Sequence, residues 1–72
     1  MSDSVYSVSE IVGSSADSID DAIKGAIDRA SKTLHNLDWF EVVDIRGRIE
    51  DGSRCHFQVK LKVGFRLDER PS

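Results

Sequence analysis

The chain has 72 residues, of which 39% are hydrophobic and 32% are charged, and its formal net charge is −3 at pH 7. This composition is typical of one folded domain and disfavours disorder, while the acidic balance argues against nucleic-acid binding, which needs a local excess of lysine and arginine. No apolar run is long enough to cross a membrane. So short a chain buries little surface, and a single cysteine with two histidines provides neither a disulfide nor a Cys/His zinc site. We therefore expect oligomerisation to supply the missing stability.

The N-terminal half predicts a strand followed by an amphipathic helix. Residues 5–12 mix β-branched and aromatic residues with serines in loose alternation, which indicates a strand. Residues 13–15, Gly-Ser-Ser, supply a turn and a helix N-cap. Apolar residues then follow at helical spacing and form one stripe: Ile19, Ala22, Ile23, Ala26, Ile27, Ala30, Leu34 and Leu37. Gly25 lies within this helix and indicates a close backbone contact there.

Two further strands, residues 39–49 and 54–65, form a hairpin through a three-residue loop, residues 51–53. The second strand alternates cleanly and has an apolar face that we expect to cover the helix: Cys55, Phe57, Val59, Leu61, Val63 and Phe65. The alternation of the first strand breaks at Val42 and Val43, where a β-bulge keeps its apolar residues on the same face. The loop length then predicts these pairs: Ile49 with Cys55, Arg48 with His56, Arg46 with Gln58, Asp44 with Lys60, Glu41 with Lys62 and Trp39 with Gly64.

These elements predict an α+β fold with strand, helix, strand, strand topology. A three-stranded antiparallel sheet in the order first, third, second covers the helix with one face and leaves the other face uncovered. The uncovered face carries Trp39 among polar residues. No nucleophile motif surrounds the serines, and neither histidine has a recognisable partner arrangement, so an enzyme is disfavoured.

The candidate binding residues on the uncovered face are Trp39, Gln58, Arg46 and Arg66. A flat aromatic ligand would stack on an indole, an amide would read its polar edge, and an arginine would bind a phosphate tail. A subunit interface explains Trp39 equally well on the sequence alone, because tryptophan is enriched in interfaces. The arginines would then form ordinary ion pairs, and Gln58 would be an outward strand residue.

The stretch Leu-Asp-Trp-Phe-Glu-Val-Val-Asp-Ile-Arg-Gly at 37–47, with Gln58 and the closing Val-Gly-Phe-Arg-Leu at 63–67, closely resembles the bacterial dodecins. The similarity runs over nearly the whole chain. It implies a hollow homododecamer that binds flavins without catalysis. In that family the tryptophan corresponding to Trp39 stacks on the isoalloxazine ring, and pairs of flavins lie between symmetry-related tryptophans. The glutamine corresponding to Gln58 hydrogen-bonds the pyrimidine edge.

The resemblance also extends to Arg46, whose counterpart in bacterial members is associated with phosphate-bearing ligands, and to Arg66, which matches an arginine near the site. It implies a cytoplasmic homododecamer that stores or buffers flavin mononucleotide (FMN) or riboflavin and suppresses its photochemistry. Coenzyme A is a further candidate ligand, because some relatives bind it. The alternative is a homo-oligomeric scaffold in which Trp39 only fills an interface. We expect neither a nucleic-acid nor a membrane partner, and no metal site.

Overall fold

The computed structural model describes residues 3–67. Four elements follow one another along the chain: β1 (Tyr6–Ser15), α1 (Ile19–Ala30), β2 (Leu37–Glu50) and β3 (Arg54–Arg66). The strands form one antiparallel sheet in the order β1-β3-β2. This arrangement confirms the α+β topology predicted from the sequence. No helix in this part of the chain is long and apolar enough to span a membrane.

Small residues on α1 and branched residues on β3 form the core. Ala22 and Ala26 are buried against Val59 and Leu61. Four isoleucines pack around this cluster and are partly buried: Ile11, Ile19, Ile23 and Ile27. The helix packs on β1 and β3, with its alanines facing the sheet.

The helix packs tightly on the sheet at Gly13 of β1. A Cβ atom at this position would lie 2.8 Å from the Cβ of Ala26 and would collide with the carbonyl oxygen of Ala22. A Cβ atom at Gly25 would meet no heavy atom of the described residues within 4 Å, apart from its chain neighbours and the backbone of its own helix. The close contact predicted at Gly25 was therefore assigned to the wrong glycine, because a glycine in a helix sequence does not show which surface it faces.

The connection from β1 to α1 differs from the predicted turn at residues 13–15. β1 continues to Ser15, and the N-cap is Ser18, whose side chain accepts a hydrogen bond from the backbone N–H of Asp21 at 3.0 Å. Ser15 is only 8% exposed. Its Oγ accepts from the backbone N–H groups of Asp17 and Ser18, at 2.9 and 3.3 Å, and donates to the Asp21 carboxylate at 3.1 Å. Ser15 thus organises the turn without capping the helix itself.

The helix also ends earlier than its apolar stripe predicts. α1 stops at Ala30, although the backbone N–H of Leu34 still donates to the Ala30 carbonyl at 2.9 Å. Asn36 has a positive φ of 64°, which redirects the chain, and Leu37 begins β2. The last two positions of the predicted stripe therefore belong to the connection and to the next strand.

The predicted hairpin register is confirmed at every pair from Trp39 opposite Gly64 to Ile49 opposite Cys55. The register shifts between Val42 and Asp44, which confirms the bulge, and it shifts again between Leu37 and Trp39, which the sequence did not predict. In the loop, Asp51 and Gly52 both have positive φ, at 49° and 78°.

The sheet is far longer than the helix that packs on it. The 12 residues of α1 extend about 18 Å, whereas the 14 residues of β2 extend about 46 Å. Cys55, predicted to be buried, is exposed near the hairpin loop because α1 does not reach it. The apolar residues of β2 predicted to face the helix are exposed for a different reason, since α1 packs on β1 and β3 and does not contact β2; they are Phe40, Val42, Val43, Ile45 and Ile49.

Candidate binding surface

The candidate binding residues share the sheet face opposite α1. Val59, Leu61 and Val63 of β3 are buried on the helix side, and side chains alternate along a strand. Gln58 and Gly64 therefore lie on the other face, which we call the open face. Antiparallel pairing places Arg46 beside Gln58, Trp39 beside Gly64 and Arg66 beside Tyr6 on this face.

Trp39 packs directly onto Gly64 at one end of the open face. The nearest heavy atoms to a Cβ built on Gly64 are three consecutive atoms of the indole: Nε1, Cε2 and Cζ2. Cε2 is the nearest of the three, and the other two are farther by the amounts that an approach perpendicular to the ring gives, whereas an in-plane approach between Nε1 and Cζ2 would bring these two atoms at least as close as Cε2. One face of the ring therefore covers the Gly64 backbone, which is buried. Trp39 nevertheless remains 42% exposed.

A second group of polar residues lies towards the hairpin loop. Arg46 is opposite Gln58, and its Nη2 lies 3.4 Å from a carboxylate oxygen of Asp44. This ion pair is exposed, with 70% of the arginine side chain and 49% of the aspartate side chain accessible. A shallow cavity of about 150 Å³ lies here and is lined by Val12, Asp44, Arg46, Gln58 and Lys60. An ordinary ion pair was the alternative interpretation of Arg46 in the sequence, which did not name Asp44 as the partner.

The two groups lie far apart within one chain. The indole of Trp39 packs on Gly64, and Gly64 lies six residues from Gln58 along β3. Six extended residues span about 20 Å. This separation exceeds the length of three fused six-membered rings, so one flat ligand cannot contact Trp39 and Gln58 of the same chain.

Arg66 lies at the Trp39 end of the open face. It is two residues beyond Gly64 on β3, or about 7 Å along the strand. Its backbone N–H donates to the carbonyl of Asn36 at 3.0 Å, and the Asn36 side chain donates back to the Arg66 carbonyl at 3.2 Å. A cavity of about 160 Å³ beside it is lined by Asn36, Leu37, Asp38 and Arg66. The backbone of Arg66 is thus fixed, while the residue is exposed.

The described residues provide neither a cluster of metal ligands nor a disulfide. Across residues 3–67, no group of three or more His, Cys, Asp or Glu side chains is placed to hold a metal ion. Cys55 is a free thiol whose Sγ lies 3.9 Å from the Ser53 carbonyl oxygen. Beside the indole of Trp39, the open face carries the amide of Gln58 and the guanidinium groups of Arg46 and Arg66, which can form hydrogen bonds to a ligand.

Comparison with known proteins identifies the family. The dodecin family model matches residues 5–68. The dodecin of Thermus thermophilus is 51% identical over 65 residues, which covers 90% of this chain and 94% of the relative. The solved dodecin from Streptomyces davaonensis is 59% identical, covers 94% of this chain and 100% of its own, and has a TM-score of 0.90. The dodecin from Streptomyces coelicolor is 56% identical, covers 97% of this chain and 100% of its own, and has a TM-score of 0.89.

Solved variants of the Thermus thermophilus dodecin are similar to this chain as well. They carry either a tryptophan-to-phenylalanine or an arginine-to-alanine substitution, and are 47 to 48% identical to this chain. They cover 93 to 94% of it and 100% of their own chains, with TM-scores of 0.87 to 0.88. The substituted tryptophan and two arginines have the same spacing as Trp39, Arg46 and Arg66. The family model, the sequence identity and the shared fold establish that this chain belongs to the dodecin family.

Proposed function

We propose that this chain is a cytoplasmic flavin-binding storage protein that sequesters FMN or riboflavin and quenches its photochemistry. The observation that carries the proposal is the indole of Trp39, which rests on Gly64 and is still 42% exposed. A fixed aromatic face open to solvent suits a flat aromatic ligand, because offset stacking adds to the free energy of burying both surfaces. Membership of the dodecin family, a family of small binding proteins, supports a binding role over a catalytic one.

We propose that the ring is shared by two copies of the chain. A ring that stacks on Trp39 ends well short of Gln58 in the same copy, because the two positions are about 20 Å apart along the sheet. Gln58 of a second copy can read the pyrimidine edge, since its amide both donates and accepts hydrogen bonds. A complete site would then exist only in the assembled protein.

The assembly that we propose is a homododecamer. The exposed apolar residues of β2, including Phe40 and Ile45, lie on the helix side of the sheet but beyond the reach of the helix. A second copy that covers them would gain about 0.7–1.5 kcal/mol for each of these two side chains, because they are only about half exposed. Burial between copies would thus add stability that the small core of a single chain does not supply. It also leaves Trp39, on the opposite face, available for a ligand.

The arginines of the open face are proposed to bind the phosphate of FMN. Arg46 adjoins Gln58, and Arg66 adjoins the end that carries Trp39. A guanidinium recognises phosphate through two parallel N–H donors, whereas riboflavin offers no such group. Coenzyme A also carries phosphates and is therefore the competing ligand in the test.

The proposal is tested by titrating the purified protein with FMN, riboflavin and coenzyme A. We expect flavin fluorescence to be quenched on binding, and native mass spectrometry to show a twelve-chain species. Stacking on an aromatic side chain contributes about 1–3 kcal/mol, so Trp39→Ala should weaken the binding of both flavins by about tenfold or more. Trp39→Phe is the matched variant, which keeps a smaller stacking surface and should lose less. Unchanged affinity and quenching in Trp39→Ala, with the dodecamer intact, would contradict the proposal.

A further inference from the structure

We infer that Gly64 is a positioning residue, which seats the indole of Trp39 flat against β3 and so leaves one ring face open for the ligand. This inference rests on the proposed function, because it identifies what orients the stacking surface of the same site. It assigns a role to the absence of a side chain at position 64.

The geometry leaves no room for a side chain at this position. A Cβ on Gly64 would lie 2.5 Å from Nε1 of Trp39, and Cε2 and Cζ2 would be closer still. The favourable separation of nonbonded heavy atoms is about 3.5–4.0 Å. An alanine at position 64 would therefore displace the ring by about 1 Å or more. Because the collision is with the ring face, the displacement lifts the indole away from the sheet.

Backbone conformation does not account for glycine here. Among the glycines of the described residues, only Gly52 has a positive φ. Gly64 pairs with Val8 of β1 on one side and with Trp39 of β2 on the other, so it lies in a central strand. Glycine weakens a strand interior, and its presence there marks a place that another group approaches closely. The group that approaches is the indole.

The contact between Trp39 and Gly64 also limits the number of ligand rings that one indole can stack on. Because one face of the indole covers the Gly64 backbone, only the opposite face can stack on a ligand. Each chain therefore offers one stacking position, and a ring enclosed from both sides needs a second aromatic surface from another ring or another copy. Binding should saturate at no more than one stacked flavin per chain.

The chain contains a matched control for an alanine substitution. Gly47 is also a strand glycine, and the nearest heavy atom to a Cβ at that position is the His56 carbonyl oxygen, 4.0 Å away. Gly64→Ala and Gly47→Ala therefore make the same chemical change in one sheet, but only the first meets the indole. Trp39 is the only tryptophan of the chain, so the emission of the ligand-free protein reports its surroundings directly.

In the assembled protein we expect Gly64→Ala to shift the tryptophan emission and to raise the Kd for FMN and riboflavin by about tenfold, while Gly47→Ala changes neither. The emission is measured without flavin, so it tests the role of Gly64 separately from the proposed flavin binding. A shift in Gly64→Ala, together with a wild-type protein that binds no flavin, would support the seat and reject the proposed function. Unchanged emission and unchanged affinity in Gly64→Ala would overturn the inference.

A second variant keeps the test decisive if Gly64→Ala folds poorly. In a Trp39→Ala background there is no indole to collide with, so adding Gly64→Ala should cost little or no stability against urea. The difference between the two backgrounds measures the contact between the two residues. An equal loss of stability in both backgrounds would show that Gly64 serves the strand and does not seat the ring.

Discussion

Replacing Arg46 by alanine should separate recognition of the phosphate from recognition of the flavin ring. FMN and riboflavin share the ring and differ at the phosphate. Arg46 lies opposite Gln58 on the open face, and its side chain is 70% exposed. We expect Arg46→Ala to weaken FMN binding and to leave riboflavin binding unchanged. Gln58→Leu, in the neighbouring strand, should weaken both flavins equally, since both present the same pyrimidine edge.

The size of the effect follows from the surroundings of Arg46. A hydrogen bond to a charged group contributes about 1.5–3 kcal/mol, and each 1.4 kcal/mol corresponds to a factor of about ten in Kd. The exposure of Arg46 and its contact with Asp44, at 3.4 Å, place the expected loss at the lower end of this range, about tenfold. The preference for FMN should fade as salt rises, because exposed charges are screened over about 8 Å at physiological ionic strength.

Replacing Asp44 should change FMN binding in the opposite direction to replacing Arg46. A phosphate bound to the free side of the Arg46 guanidinium would lie about 6 Å from the Asp44 carboxylate and carry a charge of about −1.5. Their repulsion in water is about 1 kcal/mol, and screening reduces it to about half. Asp44→Asn should therefore strengthen FMN binding by about twofold and leave riboflavin unchanged.

The assay is a fluorescence titration of both flavins against each variant at two salt concentrations. Arg48→Ala is the matched control, because Arg48 lies on the same face, opposite His56, and outside the cavity that contains Arg46. Arg66→Ala, measured in parallel, shows whether the arginine at the Trp39 end shares the phosphate. Equal losses for FMN and riboflavin in Arg46→Ala would refute the reasoning and assign Arg46 to the fold or to an interface.

Two further predictions concern the fold that holds this surface. Gly13→Ala should lower the free energy of unfolding by about 1–3 kcal/mol, because its Cβ collides with α1, whereas Gly25→Ala should raise it by about 0.5–1 kcal/mol; urea unfolding of both variants checks the pair, and equal effects would contradict the close packing at Gly13. Ser15→Ala should cost about 1–3 kcal/mol, because it removes the acceptor of the Asp17 and Ser18 N–H groups. A urea midpoint equal to that of the wild type in Ser15→Ala would show that water replaces the hydroxyl without loss of stability.

Strand pairing could be predicted from the sequence because several independent constraints agree. Apolar residues must share a face, a three-residue loop sets the offset, and opposite charges such as Asp44 and Lys60 then meet without having been used to choose it. The bulge at Val42 was visible because it interrupts a strict alternation. Pairing is a local property of two neighbouring strands, so local patterns are enough to define it.

The ends and reach of the helix could not be predicted in the same way. Leu34 and Leu37 continue the helical spacing, yet the chain leaves the helix and turns at Asn36, whose positive φ is a property of one residue. Residues 13–15 read as a turn because glycine and serine are typical of turns. In the structure they extend β1, and Gly13 is required by the approach of α1. Burial of Cys55 failed as a prediction because alternation defines a face but not the length of the helix that covers it.

For the candidate site too, the sequence predicts which face of the sheet a residue lies on, but not which residues are close enough to bind one ligand. The sequence places Trp39 and Gln58 correctly on one face, and the confirmed register fixes their separation at about 20 Å. Residues that share a face therefore need not share a ligand within one copy. The apolar residues of β2 lie on the opposite side of the same strand from Trp39, so a neighbour that covers them would also hold the strand that carries the indole. Assembly and recognition of the ring would then depend on one rigid sheet, with the helix side joining the copies and the open face binding the ligand.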